Sequence, residues 1–255
     1  MSAPPLVDVT RREGSTGPVW VLTLRGSPAG GAHYENKLND AMVSALHGAL
    51  DRVEREAGGG PGAVVTVSTG KFYSNGLDVE YVLSLSRDDT LAFLRRVMRL
   101  LHRLLLLPYP TVAALNGHAY AGGFLLALAH DHRVANADKG YACMTELDLG
   151  SPLPAGLNAL LKDKLPRHFA ARMMLEVARV TGPALVANHG AALAAPGDKV
   201  LDAAVEFAGS LAGKGGSGTV RELKEDLFAD SARLLWSGPV MTPREAARED
   251  ADSKL

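Results

Sequence analysis

The residues of this chain best suited to chemistry lie in two short stretches. Asn116-Gly117-His118-Ala119-Tyr120-Ala121-Gly122-Gly123 joins a run of β-formers, residues 111–115, to an apolar run of helix formers, 124–129. A glycine-containing turn lets backbone come close to a ligand, because glycine has no Cβ. Gly122 and Gly123 fall where the helix opens, and there unpaired N–H groups and the helix dipole favour negative charge. The second stretch is Met144-Thr145-Glu146-Leu147-Asp148-Leu149-Gly150. In it Glu146 is a carboxylate among apolar neighbours, with Leu147 and Leu149 expected to raise its pKa. An anion-stabilising turn plus such a carboxylate is equipment for moving a proton beside a carbonyl. Asp148 is the rival base.

These groups need elements to hold them. Residues 19–24 and 63–68 read as strands, and residues 36–56 as a helix capped by Asn36 or Asn39. A loop follows over 69–78. Residues 90–107 keep the 3.6 period through Leu91, Leu94, Val97, Met98, Leu101 and Leu105. Arg95, Arg96, Arg99 and Arg103 take the other faces and read as a solvated surface, of which a nucleotide phosphate could use one or two. Helical patterns recur near 167–180, 183–194, 199–211 and 220–235. Strands in the first half and helices in the second predict an α/β core with a helical C-terminal appendage.

Composition narrows the function. A chain of 255 residues can bury a sizeable core. A net charge of −1, with 22% charged residues, carries no electrostatic footprint for nucleic acid. The single cysteine, Cys143, excludes a disulfide framework and fits a reducing compartment. Met1 to Asp8 shows no apolar signal segment. The most hydrophobic segment, 100–128, is broken by Arg103, Pro108, Pro110, Asn116 and His118, so no membrane span is expected. His118 has no partners at metal-ligand spacing and reads as a packing or hydrogen-bonding residue. Ser253-Lys254-Leu255 reads as an address for the peroxisomal matrix, recognised by an import receptor.

Several motifs in order carry a resemblance. They are Asn36-Lys37-Leu38-Asn39, Phe72-Tyr73-Ser74-Asn75-Gly76-Leu77-Asp78, Pro110 to Gly117, the pair Gly122-Gly123, and Asp131-His132-Arg133-Val134-Ala135. Together they resemble the crotonase (enoyl-CoA hydratase/isomerase) superfamily. The resemblance implies a spiral of ββα units over residues 1–197, then a helical oligomerisation region over 198–255, built into a homotrimer or hexamer. It implies a substrate thioester oxygen held by the backbone N–H groups of Leu77 and Gly122. It implies an acyl-CoA ligand near Lys71, Ser74, Asn75, Gly76, Gly123 and Leu125, with no metal or redox cofactor, CoA arriving as part of the substrate.

The resemblance also sharpens the reaction. Hydratases of the family use two glutamates around a water; the first of them falls on Leu125 here and the second on Glu146. Addition of water calls for a base and an acid, whereas shifting a double bond needs one carboxylate that takes a proton from C2 and returns it at C4. Leucine at 125 therefore argues for isomerisation. The segment around Glu146, with the C-terminal tripeptide, most resembles plant peroxisomal Δ3,Δ2-enoyl-CoA isomerases of fatty-acid β-oxidation. The competing expectations are a hydratase or 3-hydroxyacyl-CoA dehydratase, and a non-catalytic acyl-CoA-binding subunit.

Overall fold

Along the chain, strands feed two sheets by turns. The computed structural model describes residues 5–26 and 35–241. In order these form β1 (Val7–Glu13), β2 (Pro18–Leu24), α1 (Asp40–Ala57), β3 (Ala63–Ser68), β4 (Phe72–Ser74), α2 (Val79–Ser84), α3 (Arg87–Leu105), β5 (Thr111–Leu115) and β6 (His118–Tyr120). There follow α4 (Gly122–Leu128), β7 (His132–Asn136), β8 (Ala142–Cys143), α5 (Ala155–Lys164), α6 (Arg167–Leu175), α7 (Gly182–Ala187), β9 (Leu193–Ala195), α8 (Val200–Leu211), α9 (Gly218–Leu227) and α10 (Ala229–Ser237). The larger sheet has six strands in the order β1-β2-β3-β5-β7-β9, and the smaller has three, β4-β6-β8. Consecutive strand pairs β3/β4, β5/β6 and β7/β8 each give one strand to each sheet, which is the expected spiral. Every pairing is parallel except β1 with β2.

Burial on both faces explains why the central strands are continuous apolar runs. Val65, Val67, Val112, Ala114 and Val134 face α8, while Leu22, Val64, Ala113 and Leu115 face the main core beneath α1, α3 and α4. The helix α8 therefore belongs to the sheet's own packing. The helical region expected from 198 onward is not set apart from residues 1–197, since α8 shares an apolar cluster with β2, β3, β5 and β7, and α10 packs on α3 and α5.

Three expected helices are shorter or interrupted. The 167–180 pattern stops at Leu175, because Val177 takes φ 50° and Val180 bridges to Ala142. The 183–194 pattern stops at Ala187, and Leu193–Ala195 extends the large sheet beside β7; the residues between include His189 at φ 58°. The 220–235 pattern breaks at Phe228, whose ring turns in against the core and over the Lys164 ammonium at 3.9 Å. The edge strand β1, not anticipated, buries only Val7 and Val9 and leaves a charged end exposed. No helix among the described residues is long and apolar enough to cross a membrane. Ser253, Lys254 and Leu255 lie outside the described residues.

Candidate active site

The small sheet positions the chemistry. Its three strands are parallel, so all three chains leave at the same end: β4 into Asn75-Gly76-Leu77, β6 into Ala121-Gly122, and β8 toward Glu146. The register sets this directly, with Ala119 opposite Ala142, Tyr120 opposite Cys143, and Ser74 opposite Ala119. Segments far apart in sequence meet at one rim for that reason.

At Leu77 the backbone is clamped from behind. Leu38 N–H donates to Gly76 O at 2.8 Å and Asp78 N–H donates to Leu38 O at 3.0 Å. Backbone groups alternate sides along an extended chain, so the Leu77 N–H points away from Leu38 and toward Gly122. Gly76, at φ 82°, supplies the turn, and a Cβ there would meet Tyr120 O at 2.9 Å and Gly122 N at 3.2 Å. On the other side Ala121 holds φ 48° and ψ −120°, a conformation alanine adopts only under strain, and its N–H donates to Cys143 O at 2.8 Å. That turn aims the first N–H of α4 out of the helix, where no intrahelical acceptor exists. A Cβ added to Gly122 would stand 3.4 Å from Leu77 N, so the two N–H groups share one small space. Two N–H donors so placed can hold an oxyanion.

Glu146 follows β8 in a turn held by Ser151 N–H to Glu146 O at 3.0 Å and Leu149 N–H to Thr145 O at 3.1 Å. Its side chain is buried, with the residue 8% exposed. Oε2 has no hydrogen-bond partner among the described residues. Burial raises its pKa above the ordinary carboxylate range, and a hydrogen bond from its own backbone opposes this. The direction is as expected but the source is not: Leu147 and Leu149 are 57% and 64% exposed, so other parts of the fold desolvate the carboxylate. Asp148 is exposed. A buried acceptor left without a donor is uncommon and calls for a reason.

The remaining expected residues separate. Ser74 is fully buried, donating its Oγ to Asn36 O at 2.7 Å and accepting from Gly76 N–H at 3.3 Å, so its hydroxyl braces the turn. Asn75 is half-buried, its N–H donating to Glu35 O at 2.9 Å. Gly123 permits contact between α4 and β4, since a Cβ would drive into the Ser74 carbonyl. Leu125 is 1% exposed within the apolar core, so an apolar side chain stands where the resemblance puts the first of the two glutamates. Lys71 precedes β4, at the strand's far end from Leu77, with its ammonium 5.7 Å from the Phe72 ring centre; the sheet does not bring it to the turn. Asp78 caps α2 through the Tyr81 N–H and accepts from Asn39 Nδ2, and Asn39 caps α1.

Asn36 was expected only as a possible helix cap, and the structure gives it a larger part. It is buried at φ 49°; its Oδ1 accepts from Gly26 N–H at 2.8 Å and its Nδ2 donates to Phe72 O at 2.9 Å. Asn tolerates this left-handed backbone better than most residues, the one local signal for the role.

Comparison with known proteins agrees with this fold. The family model described as enoyl-CoA hydratase/isomerase matches residues 32–237. The peroxisomal enoyl-CoA delta isomerase 1 of Arabidopsis thaliana is 31% identical over 200 residues, 77% of this chain and 82% of that protein. Enoyl-CoA delta isomerase 3 of the same plant is 30% identical over 231 residues, 86% of this chain and 92% of that protein. A probable enoyl-CoA hydratase from Mycobacterium tuberculosis superposes with a TM-score of 0.80 over 98% of each chain, at 26% identity. A family model that matches most of the length, and relatives about 30% identical over most of both chains, place this ββα spiral in the enoyl-CoA hydratase/isomerase family.

Proposed function

We propose that the protein is an isomerase that converts 3-enoyl-CoA to trans-2-enoyl-CoA, with Glu146 as its single base. The carboxylate removes a proton from C2. The electron pair moves into the conjugated system, and the thioester oxygen becomes an enolate oxygen held by the Leu77 and Gly122 N–H groups. Protonated Glu146 then returns the proton at C4, leaving the double bond between C2 and C3. Nothing is consumed, and no second acid is required.

The observation that carries this reading is Glu146 as the one buried carboxylate among the described residues, with Oε2 unpartnered there and leucine where another carboxylate would stand. A raised pKa suits a base that must also give its proton back. The names of the Arabidopsis relatives support isomerisation, and one of them, named peroxisomal, supports a peroxisomal setting. The mycobacterial relative is named both a probable enoyl-CoA hydratase and an enoyl-CoA isomerase, so its names fit this reading and also a second one, in which Glu146 alone handles water.

The test follows 3-enoyl-CoA conversion by absorbance in wild type and Glu146→Gln, with 2-enoyl-CoA hydration assayed alongside. Isomerisation that collapses in the variant, with little hydration in either protein, is the expected result. Dominant hydration in wild type would overturn it in favour of the second reading, and binding without turnover would leave an acyl-CoA-binding subunit.

A further inference from the structure

Beneath the two donor segments runs a chain of buried polar side chains for which the reaction has no direct use. Thr66 on β3, Tyr73 on β4 and His130 just after α4 are all buried. Tyr73 OH lies 2.7 Å from Thr66 Oγ1, Thr66 Oγ1 lies 2.9 Å from His130 Nε2, and His130 Nδ1 lies 2.9 Å from Leu126 O.

Chemistry fixes the direction of every bond. A carbonyl oxygen only accepts, so His130 Nδ1 carries the proton. Burial pushes the imidazole pKa down to about 3, so the ring is neutral and Nε2 is an acceptor. Thr66 must then donate to Nε2, which leaves its oxygen to accept from Tyr73. The chain thus runs one way, from Tyr73 through Thr66 and His130 to the α4 carbonyl. Leu126 O is one of the last carbonyls of α4, and the His130 N–H that might have closed on it goes to Ala127 O at 3.2 Å instead. The imidazole therefore finishes the helix while Thr66 anchors it to the large sheet.

The ends of this chain are what matter. Tyr73 belongs to the strand that leads into Leu77, and Leu126 to the helix whose first N–H is that of Gly122. Thr66 sits between them on a central strand, paired with Leu22 and Ala113. We infer that Tyr73, Thr66 and His130 are positioning residues that set the separation of the Leu77 and Gly122 N–H donors by tying β4 and α4 to one fixed point on β3. The inference rests on the oxyanion reading proposed above. In a low-dielectric interior such a network is rigid when every member is satisfied and costly when one is missing.

The test uses the full-length protein and trans-2-enoyl-CoA labelled with carbon-13 at the thioester carbonyl. Infrared difference spectra report how far the bound carbonyl stretch falls, which measures polarisation by the donor pair; kcat and KM for isomerisation are measured beside it. Thr66→Val keeps the shape and removes the hydroxyl, Thr66→Ser keeps the hydroxyl, and Tyr73→Phe leaves the Thr66–His130 bond intact. Val65→Ala, on the opposite face of the same strand, serves as a control for stability loss alone. Thr66→Val is expected to show a smaller carbonyl shift and a kcat lower by on the order of tenfold, with KM changed less than about twofold. Thr66→Ser is expected to restore both, and Tyr73→Phe to fall between. If Thr66→Val does not fold, Tyr73→Phe against Val65→Ala decides. A wild-type carbonyl shift that Thr66→Val, or failing it Tyr73→Phe, leaves no smaller than the control does would overturn the inference alone. A wild type with neither carbonyl shift nor turnover would overturn the oxyanion reading and the inference with it.

Discussion

Gly122 and Gly123 are adjacent, yet alanine should fail at them for opposite reasons. At Gly122 an added Cβ meets nothing closer than 3.4 Å, from Leu77 N, with Gly76 Cα and Leu77 Cγ each at 3.6 Å. These are ordinary van der Waals separations, and the position opens a helix, so Gly122→Ala should fold with unchanged or slightly raised stability. The methyl, however, stands over the Leu77 N–H, in the space where an oxygen must lie about 2.7–3.1 Å from both donors. Loss of one donor costs about 3–4 kcal/mol of transition-state stabilisation, or roughly 10²–10³ in kcat. At Gly123 the Cβ would press into the Ser74 carbonyl and lie 2.8 Å from Ser74 Cβ, so Gly123→Ala must part α4 from β4. Thermal unfolding and isomerase kinetics on the two variants, with Leu77→Ala as a side-chain control, separate the effects. Gly122→Ala should be stable and inactive, Gly123→Ala unstable, and Leu77→Ala active to within about tenfold, because its donor is backbone. A stable Gly122→Ala with wild-type kcat would refute the donor-pair argument.

Further outcomes follow from the same structure. Because burial raises the Glu146 pKa, kcat/KM should decline with falling pH along a limb centred above the ordinary carboxylate range, and Glu146→Gln should abolish the limb with the activity. The stability sign is the reverse of the usual carboxylate case: a raised folded pKa favours the protonated folded state and costs stability as pH rises through it. Glu146→Gln should therefore unfold at higher denaturant than wild type at pH 7, and this advantage should vanish below the unfolded-state pKa. Asp131, itself partly buried, accepts from the buried Lys224 Nζ at 2.7 Å and from Thr111 N–H at 2.9 Å. Asp131→Ala leaves the Lys224 ammonium its two carbonyl acceptors, Leu107 O and Tyr109 O, but no countercharge, and should lower unfolding free energy by about 3 kcal/mol in urea titrations. Ala121→Gly should relieve the strain of φ 48° and raise stability by about 1 kcal/mol with activity retained, as read from calorimetry and the isomerase assay.

Much of the scaffold was legible in the chain because its signals are local. The 3.6-residue period of α3, the uninterrupted apolar runs of β3 and β5, and the glycines of the two turns each act over a few residues, so spacing alone placed them. The same holds for Gly122 at a helix start. Residues 183–194 show the limit: their apolar pattern suits a helix, but the helix ends at Ala187 and pairing of Leu193–Ala195 with β7 decides for strand.

What only the tertiary structure decided is how those pieces face one another. That Leu77, Gly122 and Glu146 share a rim depends on three parallel strands leaving the small sheet at one end, a register set by pairing between distant segments. That Glu146 is desolvated depends on the surrounding fold, since its leucine neighbours point outward. The parts played by Ser74, Asn36, Thr66 and His130 were hidden for the same reason. A hydrogen bond between residues tens of positions apart leaves no period in the sequence, and only closure of the chain brings donor and acceptor within reach.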